Sequence, residues 1–106
     1  MRIILVCNAG MSTGIMQLKL QEQSKLHNVD SDIEAIAMAD IEENLDGTDA
    51  ILLGPQVRFA LNDIIEMVHN AIPVIAIDIQ DFGLMRADNV WKITMEAIEK
   101  SKSGNK

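Results

Sequence analysis

The chain has 106 residues, a formal net charge of −7 and a pI of about 4.6. This length is typical of a single domain that buries one core without disulfide bonds or metal. The acidic balance argues against nucleic acid or anionic lipid as the main partner, because both are bound through basic patches, and no apolar run approaches the ~20 residues of a membrane-spanning helix.

The first element is a short apolar run, Arg2–Val6, whose β-branched side chains predict a buried strand. It leads into a small uncharged loop, residues 7–14, that begins with the only cysteine of the chain. Ser12 or Thr13 is expected to cap the helix that follows. The unpaired N–H groups of the loop and the positive end of that helix should then converge beside Cys7. The segment therefore predicts an anion-binding site.

An amphipathic helix is predicted next. It should end near Asn28, because asparagine readily takes the left-handed conformation that closes a helix. Its apolar side is expected to contain Ile15, Met16, Leu18, Leu20 and Leu26. The chain then restarts as a strand over residues 33–38, and the acidic Asp32 and Glu34 favour a position at the edge of the sheet.

The middle of the chain predicts one short helix and a further buried strand. Asp40 and Glu43 have the spacing of a capping box, which would open a helix that ends near Leu45. Residues 50–53 are uninterrupted apolar sequence, too short for a typical helix, and Gly54 and Pro55 end the run. A buried parallel strand is therefore predicted there.

Two further helices and a fourth strand complete the pattern. Apolar residues recur at helical spacing over residues 57–70. Residues 74–77 predict the fourth strand, followed by a loop over residues 78–83. Asp88 is expected to cap the last helix. Residues 101–106 predict a disordered tail, because they contain no apolar side chain to anchor them.

Strands that alternate with helices predict right-handed βαβ units and an α/β fold. We expect a single domain over residues 1–100, built on a four-stranded parallel sheet of order 2-1-3-4 with helices on both faces. In that order the carboxyl end of the first strand lies at a topological switch point, where open sheets bind ligands. Cys7 occupies this point.

The cysteine count and the N-terminus indicate a cytoplasmic protein. A single cysteine cannot form an internal disulfide, which is typical of a reducing compartment and leaves a thiol available for chemistry. The N-terminus lacks a secretory pattern, because Cys7, Asn8 and Gly10 interrupt its apolar run at once.

The position of Cys7 favours a nucleophilic role over a buried structural one. It follows an apolar strand and lies before a helix N-terminus, a setting that favours the reactive thiolate. The N–H groups that stabilise a thiolate can also hold a phosphoryl group attached to its sulfur. Gly10 and Gly14 permit the tight backbone that such a cradle needs.

One missing side chain distinguishes this loop from that of a thiol phosphatase. Those enzymes place an arginine six residues after the cysteine, whereas this sequence has Thr13 there and no cation anywhere in residues 7–14. Without a guanidinium, the charge that develops during attack by water is poorly stabilised. A phosphocysteine at Cys7 is therefore expected to persist until an acceptor arrives, which suits a phosphoryl carrier.

Two stretches of the sequence resemble a known family. Residues 7–13, Cys-Asn-Ala-Gly-Met-Ser-Thr, together with Leu53-Gly54-Pro55-Gln56, are similar to the IIB component of the bacterial phosphoenolpyruvate-dependent sugar phosphotransferase system, in its lactose/cellobiose/chitobiose class. The similarity covers nearly the whole chain. It implies a cytoplasmic phosphocarrier domain that takes phosphate from a phosphohistidine of the IIA component and passes it to a sugar at the IIC membrane transporter.

The resemblance also implies which residues form the site. Cys7 would be the phosphorylated residue, with no metal or cofactor. The phosphate-binding loop would consist of Asn8, Ala9, Gly10, Met11, Ser12 and Thr13. The flanking residues would be Gly54, Pro55, Gln56, Asp81, Phe82 and Gly83. Phe82 stands where members of the family often have tyrosine, so a hydroxyl contact from that position is not expected.

Several side chains keep two interpretations. Ser12 and Thr13 can cap the helix, contact phosphate, or do both. Gln56 can take part in the site or simply begin the next helix. For Asp78 we predict a structural role in bonding backbone N–H groups, because its negative charge would oppose a phosphate.

Two other functions remain open from the residues alone. A thiol phosphatase-like enzyme or an arsenate reductase would need the missing loop arginine, and the reductase would need further cysteines. A flavodoxin-like binding module would use residues 12–14 as a flavin phosphate loop, with Trp91 as the one large ring available for stacking. His27 and His69 lie at predicted helix ends and are not expected to carry phosphate.

Overall fold

The computed structural model describes residues 1–7, 11–69 and 71–103, except for the side chains of residues 11, 12, 102 and 103. Its strands are β1 (Arg2–Val6), β2 (Asp32–Ile36), β3 (Ala50–Leu53) and β4 (Val74–Ala76). Its α-helices are α1 (Met11–Leu26), α2 (Leu61–Met67), α3 (Ile79–Gly83) and α4 (Ala87–Ser103). Short 3₁₀ segments occupy Met38–Asp40, Glu42–Asn44 and Pro55–Ala60.

The sheet is parallel throughout, and its order β2-β1-β3-β4 confirms the predicted order 2-1-3-4. The strands end in register. Val6 pairs with Ile36 of β2 and with Leu53 of β3. Leu53 in turn pairs with Ala76 of β4. The carboxyl ends of all four strands therefore meet at one edge of the sheet, which places Cys7 at the predicted switch point.

The central strand β1 is buried on both faces. Its side chains alternate, so that Ile3 and Leu5 pack with α1 and α4, whereas Ile4 and Val6 pack with α2 on the opposite face. Burying a Val, Leu or Ile side chain contributes about 1.5–3 kcal/mol. These four side chains therefore hold β1, and with it the residue that follows, firmly in the core.

The buried side of α1 differs from the predicted apolar side. The buried stripe has one residue per turn and consists of Thr13, Met16, Leu20 and Ser24. The prediction was wrong for three residues that are exposed, namely Ile15, Leu18 and Leu26. The polar Ser24 is tolerated in the stripe because its hydroxyl donates to the Val29 carbonyl and accepts from Ser31. Only a narrow side of this helix faces the sheet.

The starts of two helices lie earlier than predicted. α1 begins at Met11, so Ser12 and Thr13 lie inside its first turn and not at the capping position before it. α4 begins at Ala87, which places Asp88 inside the first turn as well. A carboxylate there still interacts favourably with the positive end of the helix. Because Ser, Thr and Asp are favourable at several positions near a helix start, composition alone did not fix the first residue.

Two predicted helices are shorter or broken. In place of the helix predicted over residues 40–45, the chain forms the 3₁₀ segments Met38–Asp40 and Glu42–Asn44, and Asp40 makes no capping bond. The helix predicted over residues 57–70 is the 3₁₀ segment Pro55–Ala60 followed by α2. Its predicted last residue, Asn70, lies outside the described residues.

The other element ends lie close to the predicted positions. Asn28 has a φ of 56°, which confirms the left-handed end predicted for α1. β2 begins one residue before the predicted strand, and β4 ends one residue before it. α4 continues to Ser103 and so enters the segment predicted as a disordered tail, while residues 104–106 lie outside the described residues. Within the described ranges, no helix combines the length and the apolar character needed to cross a bilayer.

Candidate functional site

Three backbone segments are fixed side by side where the strands end. The Cys7 N–H donates to the Ile36 carbonyl at 3.4 Å, the Gly54 N–H to the Val6 carbonyl at 2.9 Å, and the Ile77 N–H to the Leu53 carbonyl at 2.8 Å. Each bond extends the sheet by one residue beyond its strand. The chain segments that follow β1, β3 and β4 therefore leave the sheet from neighbouring points, and Cys7 lies between the ends of β2 and β3.

Cys7 itself is buried, with 5% of its surface exposed, and its sulfur contacts the hydroxyl of Thr13. Thr13 is equally buried and lies in the first turn of α1. Either group can donate when the thiol is neutral, but a thiolate can only accept, so the hydroxyl must then donate to the sulfur. The residue that replaces the phosphatase arginine is thus a hydrogen-bond partner of the cysteine.

Gly54 lies against Cys7 from the neighbouring strand. A methyl group built on Gly54 would come within 3.3 Å of Cys7 Cβ and within 2.9 Å of Gln56 Oε1. Any side chain at this position would therefore press on the cysteine and on the glutamine. The absence of a side chain at Gly54 lets the segment after β3 approach Cys7, and it leaves room for the Gln56 amide beside Gly54. Pro55, between Gly54 and Gln56, begins the 3₁₀ segment.

The segment after β4 is a short helix, α3, where a loop was predicted over residues 78–83. Asp78 caps this helix, because its Oδ1 accepts hydrogen bonds from the N–H groups of Gln80 at 2.8 Å and Asp81 at 3.4 Å. Both bonds satisfy N–H groups that a helix start leaves without intrahelical partners. The structural role predicted for Asp78 is confirmed.

The three flanking residues predicted on this segment lie on α3 and differ in their surroundings. Asp81 is buried, and its carboxylate accepts from Asn89 Nδ2 at 2.8 Å and lies 3.8 Å from Arg86. Phe82 packs in the core beside β1, α1 and α4. Gly83 is exposed at the end of the helix. Asp81 and Phe82 therefore hold α3 against the core and α4.

The glycine-containing part of the loop lies outside what the structure describes. Asn8, Ala9 and Gly10 are not among the described residues, and for Met11 and Ser12 only the backbone is described, as the first residues of α1. Among the described residues there is no group of three or more His, Cys, Asp or Glu side chains placed to hold a metal ion.

Sequence reasoning missed a set of exposed apolar side chains on the segments that leave this edge of the sheet. They follow β1, β3 and β4, and we call them the apolar rim: Ile15, Leu18, Phe59, Ile79 and Leu84. Phe59 is the most exposed of them at 76%. For α1 the sequence did contain a signal of this exposure, because residues 15 and 18 lie outside the helical stripe that Met16 and Leu20 define. Exposed apolar side chains mark an interaction surface where they form a contiguous patch.

The sequence also matches a family model described as "PTS system, Lactose/Cellobiose specific IIB subunit" over residues 2–92. The chain belongs to this family. It is therefore a phosphoryl-carrying component of a sugar phosphotransferase system, as the loop predicted, and it is a phosphotransferase.

Curated relatives of this IIB protein are also IIB components of sugar phosphotransferase systems. It is 39% identical to the galactose-specific EIIB component of Lactococcus lactis subsp. cremoris over 94 residues, which cover 83% of this chain and 87% of the relative. It has the same identity and coverage with the cellobiose-specific EIIB component of Lactococcus lactis subsp. lactis. The oligo-beta-mannoside-specific EIIB component of Bacillus subtilis is 30% identical over 84 residues, covering 78% of this chain and 82% of the relative.

Solved structures of IIB proteins share the fold. The solution structure of the cellobiose-specific IIB component from Borrelia burgdorferi superimposes with a TM-score of 0.78 and 34% identity, covering 95% of this chain and 94% of that one. The lactose-specific IIB domain from Streptococcus pneumoniae gives a TM-score of 0.81, with coverage of 92% and 96%. At 15% identity, this second comparison supports the fold alone.

Proposed function

We propose that Cys7 is the residue on which this IIB protein carries the phosphoryl group, taking it from a phosphohistidine of a IIA component and giving it to a sugar at a IIC transporter. The observation that carries the proposal is the placement of Cys7. Its sulfur is buried at the switch point of the sheet, in contact with the Thr13 hydroxyl and beside Gly54. The proposal places the protein in the cytoplasm, where a soluble donor and the inner face of a transporter are both within reach.

The two transfer steps exchange bonds at one phosphorus atom. In the first, the Cys7 thiolate attacks the phosphorus of the phosphohistidine, a P–S bond forms, the P–N bond breaks, and the donor imidazole keeps the electron pair. In the second, a sugar hydroxyl attacks, a P–O bond forms, the P–S bond breaks, and the thiolate leaves while the hydroxyl proton passes to a base at the transporter. Both are in-line displacements that depend mainly on positioning and on stabilising the phosphoryl charge.

Thr13 serves both steps in this proposal. Before transfer, its hydroxyl donates to the thiolate and holds the sulfur in a fixed position. After transfer, the sulfur is bonded to phosphorus and accepts only weakly, so the same hydroxyl can turn to a phosphoryl oxygen. A neutral donor at this position stabilises the phosphocysteine without the strong charge stabilisation that a guanidinium would give to attack by water.

The phosphoryl oxygens would be held by backbone N–H groups in this proposal. α1 is 16 residues long and begins at Met11, shortly after Cys7 in the chain. The positive end of this helix therefore follows the cysteine closely. Residues 8–12 are assigned to the cradle on this ground. Gln56 is assigned to the side of the site that the segment after β3 forms, because its side-chain amide oxygen lies beside Gly54.

The apolar rim would form the surface on which the partners dock. A buried sulfur can react with a phosphohistidine only if the donor makes close contact around it, and exposed apolar side chains give such a contact its stability. Asp81 and Phe82 contribute indirectly, because they hold α3, which carries Ile79 and is followed by Leu84. Gly83 lies between Ile79 and Leu84 in the chain. The predicted flanking segment would therefore act by presenting these two rim residues.

Selection of the sugar is assigned to the transporter. The chain is equally identical to a galactose-specific and a cellobiose-specific relative. Overall similarity therefore does not separate these sugars, and the IIB protein has to present only its phosphoryl group to a hydroxyl bound elsewhere.

The test is to follow phosphate through the reconstituted system. A phosphorylated IIA donor is added to the protein with and without the cognate IIC transporter and a panel of disaccharides and monosaccharides. We expect sugar phosphate only with the transporter present, and a persistent phosphoprotein without it. Rapid release of inorganic phosphate in the absence of an acceptor would instead support a phosphatase.

A further inference from the structure

The outer edge of β4 is an open surface with two adjoining grooves. β4 is the last strand of the sheet, and all three of its side chains are only partly buried. One groove, of about 350 Å³, runs past the start of the strand between α2 and α4, where Ile65, Pro73, Val74, Ala97 and Lys100 line it. The other, of about 80 Å³, lies along the end of the strand beside α4 and is lined by Ile75, Ala76, Asp78, Val90 and Ile93.

The outer edge of β4 carries a complete set of backbone donors and acceptors. The Pro73 carbonyl accepts from the Ile51 N–H, and the Ile77 N–H donates to the Leu53 carbonyl, so residues 73, 75 and 77 face β3. By the alternation of a parallel ladder, Val74 and Ala76 point their N–H and C=O groups outward. Proline has no backbone N–H group, but the N–H that Pro73 lacks would point towards β3. The proline therefore removes no hydrogen-bond donor from the outer edge.

The two edges of the sheet differ in their protection against pairing. The edge strand β2 carries two charged side chains, Asp32 and Glu34. On β4 the three residues Val74, Ile75 and Ala76 are all apolar and include no charge, bulge or proline. Charged side chains on an edge strand discourage association with another chain, and an uncharged apolar edge permits it.

We propose that β4 pairs with β4 of a second copy of this chain, antiparallel and about a two-fold axis at Ile75, to form a continuous eight-stranded sheet. In this register Val74 of each copy faces Ala76 of the other. Each of these two pairs exchanges two hydrogen bonds, which gives four bonds across the edge, while Ile75 meets Ile75 as the pair without hydrogen bonds. The pattern of outward groups is therefore complementary to itself, as a two-fold interface requires.

Charge at the two ends of the strand supports the second copy as the occupant. Lys100 lines the groove at the start of β4, and Asp78 lines the groove at its end. An antiparallel two-fold pairing brings the start of one strand to the end of the other. It therefore places Lys100 of each copy opposite Asp78 of the other, which gives two complementary contacts. Ile65, Ile93 and Ala97 add apolar surface from the helices on both sides of the strand.

The proposed pairing is independent of the phosphoryl-transfer site. Cys7 follows β1, which β3 separates from β4. The pairing uses no residue that takes part in phosphoryl transfer, so it can fail without affecting the proposed function.

The first experiment measures mass against concentration and identifies the edge directly. Light scattering or sedimentation at physiological ionic strength, which screens the −7 charge of each copy beyond about 8 Å, should show a concentration-dependent rise from 11.7 kDa towards twice that mass. Amide hydrogen exchange followed by NMR should show Val74 and Ala76 becoming protected as the dimer forms. The Ile75 and Ile77 amides face β3 and should be protected at every concentration.

Variants with a matched control give the second measurement. Lys100→Glu and Ile93→Lys should weaken the dimer roughly tenfold or more, because each puts an unfavourable charge into the proposed contact. Lys92→Glu makes the same charge change on the same helix, but Lys92 lines a different groove, with His27 and Trp91, and should leave the dimer unchanged.

Three results obtained with the protein alone would overturn the proposal. They are a constant mass of 11.7 kDa at all concentrations, a dimer in which Val74 and Ala76 stay unprotected, and a dimer that Lys100→Glu and Ile93→Lys leave intact. Protection of Val74 and Ala76 in a monomer, only after another component is added, would also overturn it and assign the edge to that component.

Discussion

The hydroxyl of Thr13, in the first turn of α1, contacts the sulfur of Cys7 at the end of β1. Both residues are buried, so this contact between the end of a strand and the start of a helix is shielded from water. A hydrogen bond to a charged sulfur in such a place has few competitors. The reactivity of the proposed site should therefore depend on Thr13 as well as on Cys7.

Replacing Thr13 by valine tests this dependence. Thr13→Val keeps the shape of the side chain and removes the hydroxyl. We expect single-turnover phosphoryl transfer from the IIA donor to slow by roughly one to two orders of magnitude, because a hydrogen bond to a charged group contributes about 1.5–3 kcal/mol. Thr13→Ser keeps the hydroxyl and should retain most of the rate. Equal rates for the valine and wild-type proteins would exclude this role.

A methyl group at Gly54 should disturb the cysteine from the neighbouring strand. In Gly54→Ala the new carbon would lie 3.3 Å from Cys7 Cβ, so we expect roughly tenfold slower transfer and a loss of about 1–3 kcal/mol of stability. Gly83→Ala is the matched control, because a methyl group there meets nothing within 4 Å. It should leave both quantities unchanged or raise stability slightly. Denaturant unfolding and transfer kinetics measure the two effects, and equal behaviour of the two variants would contradict the role of Gly54.

Removing the carboxylate of Asp78 should affect stability and leave the chemistry in place. Asp78→Ala deletes the acceptor for two N–H groups at the start of α3, so we expect a loss of about 0.5–2 kcal/mol in the free energy of unfolding. Asp78→Asn keeps an acceptor oxygen and should recover most of it. Cys7 should still be phosphorylated in both variants at saturating donor. A complete loss of phosphorylation in the asparagine variant would show that the carboxylate acts in the site.

A charge introduced into the apolar rim should weaken docking of the donor. Leu18→Lys is expected to raise the KM for the phosphorylated IIA donor about tenfold, because it puts a charge into an apolar contact that docking would bury. Leu26→Lys is the control on the same helix, since Leu26 is equally exposed but lies at the far end from Cys7. Both variants should unfold at the wild-type temperature, as expected for exposed positions. The same KM for both variants would contradict the docking role of the rim.

The sheet was predictable because its signals are redundant. The apolar run of residues 50–53 is too short for a typical helix and is ended by Gly54 and Pro55, which favours a buried strand, and alternation with helices then allows few strand orders. The end of α1 was predictable for a local reason, since Asn28 adopts a left-handed conformation that few residues tolerate.

The face of α1 was not predictable in the same way. Hydrophobicity does not distinguish a leucine buried in the core, such as Leu20, from one held at the surface, such as Leu18. In a protein that binds partners, some apolar side chains are exposed for binding, and a pattern search assigns them to the core. Burial of the polar Thr13 was missed for the converse reason, because its partner is a cysteine sulfur brought close only by the fold.

The most direct test of the central claim is the intact mass of the protein after incubation with a phosphorylated IIA-type donor. The wild-type protein should gain the mass of one phosphoryl group, and peptide mapping should place it on Cys7. Cys7→Ser should gain none under the same conditions, because a serine hydroxyl is not a thiolate. An unmodified wild-type protein, or a phosphoryl group that persists in the Cys7→Ser variant, would contradict the proposed role of Cys7.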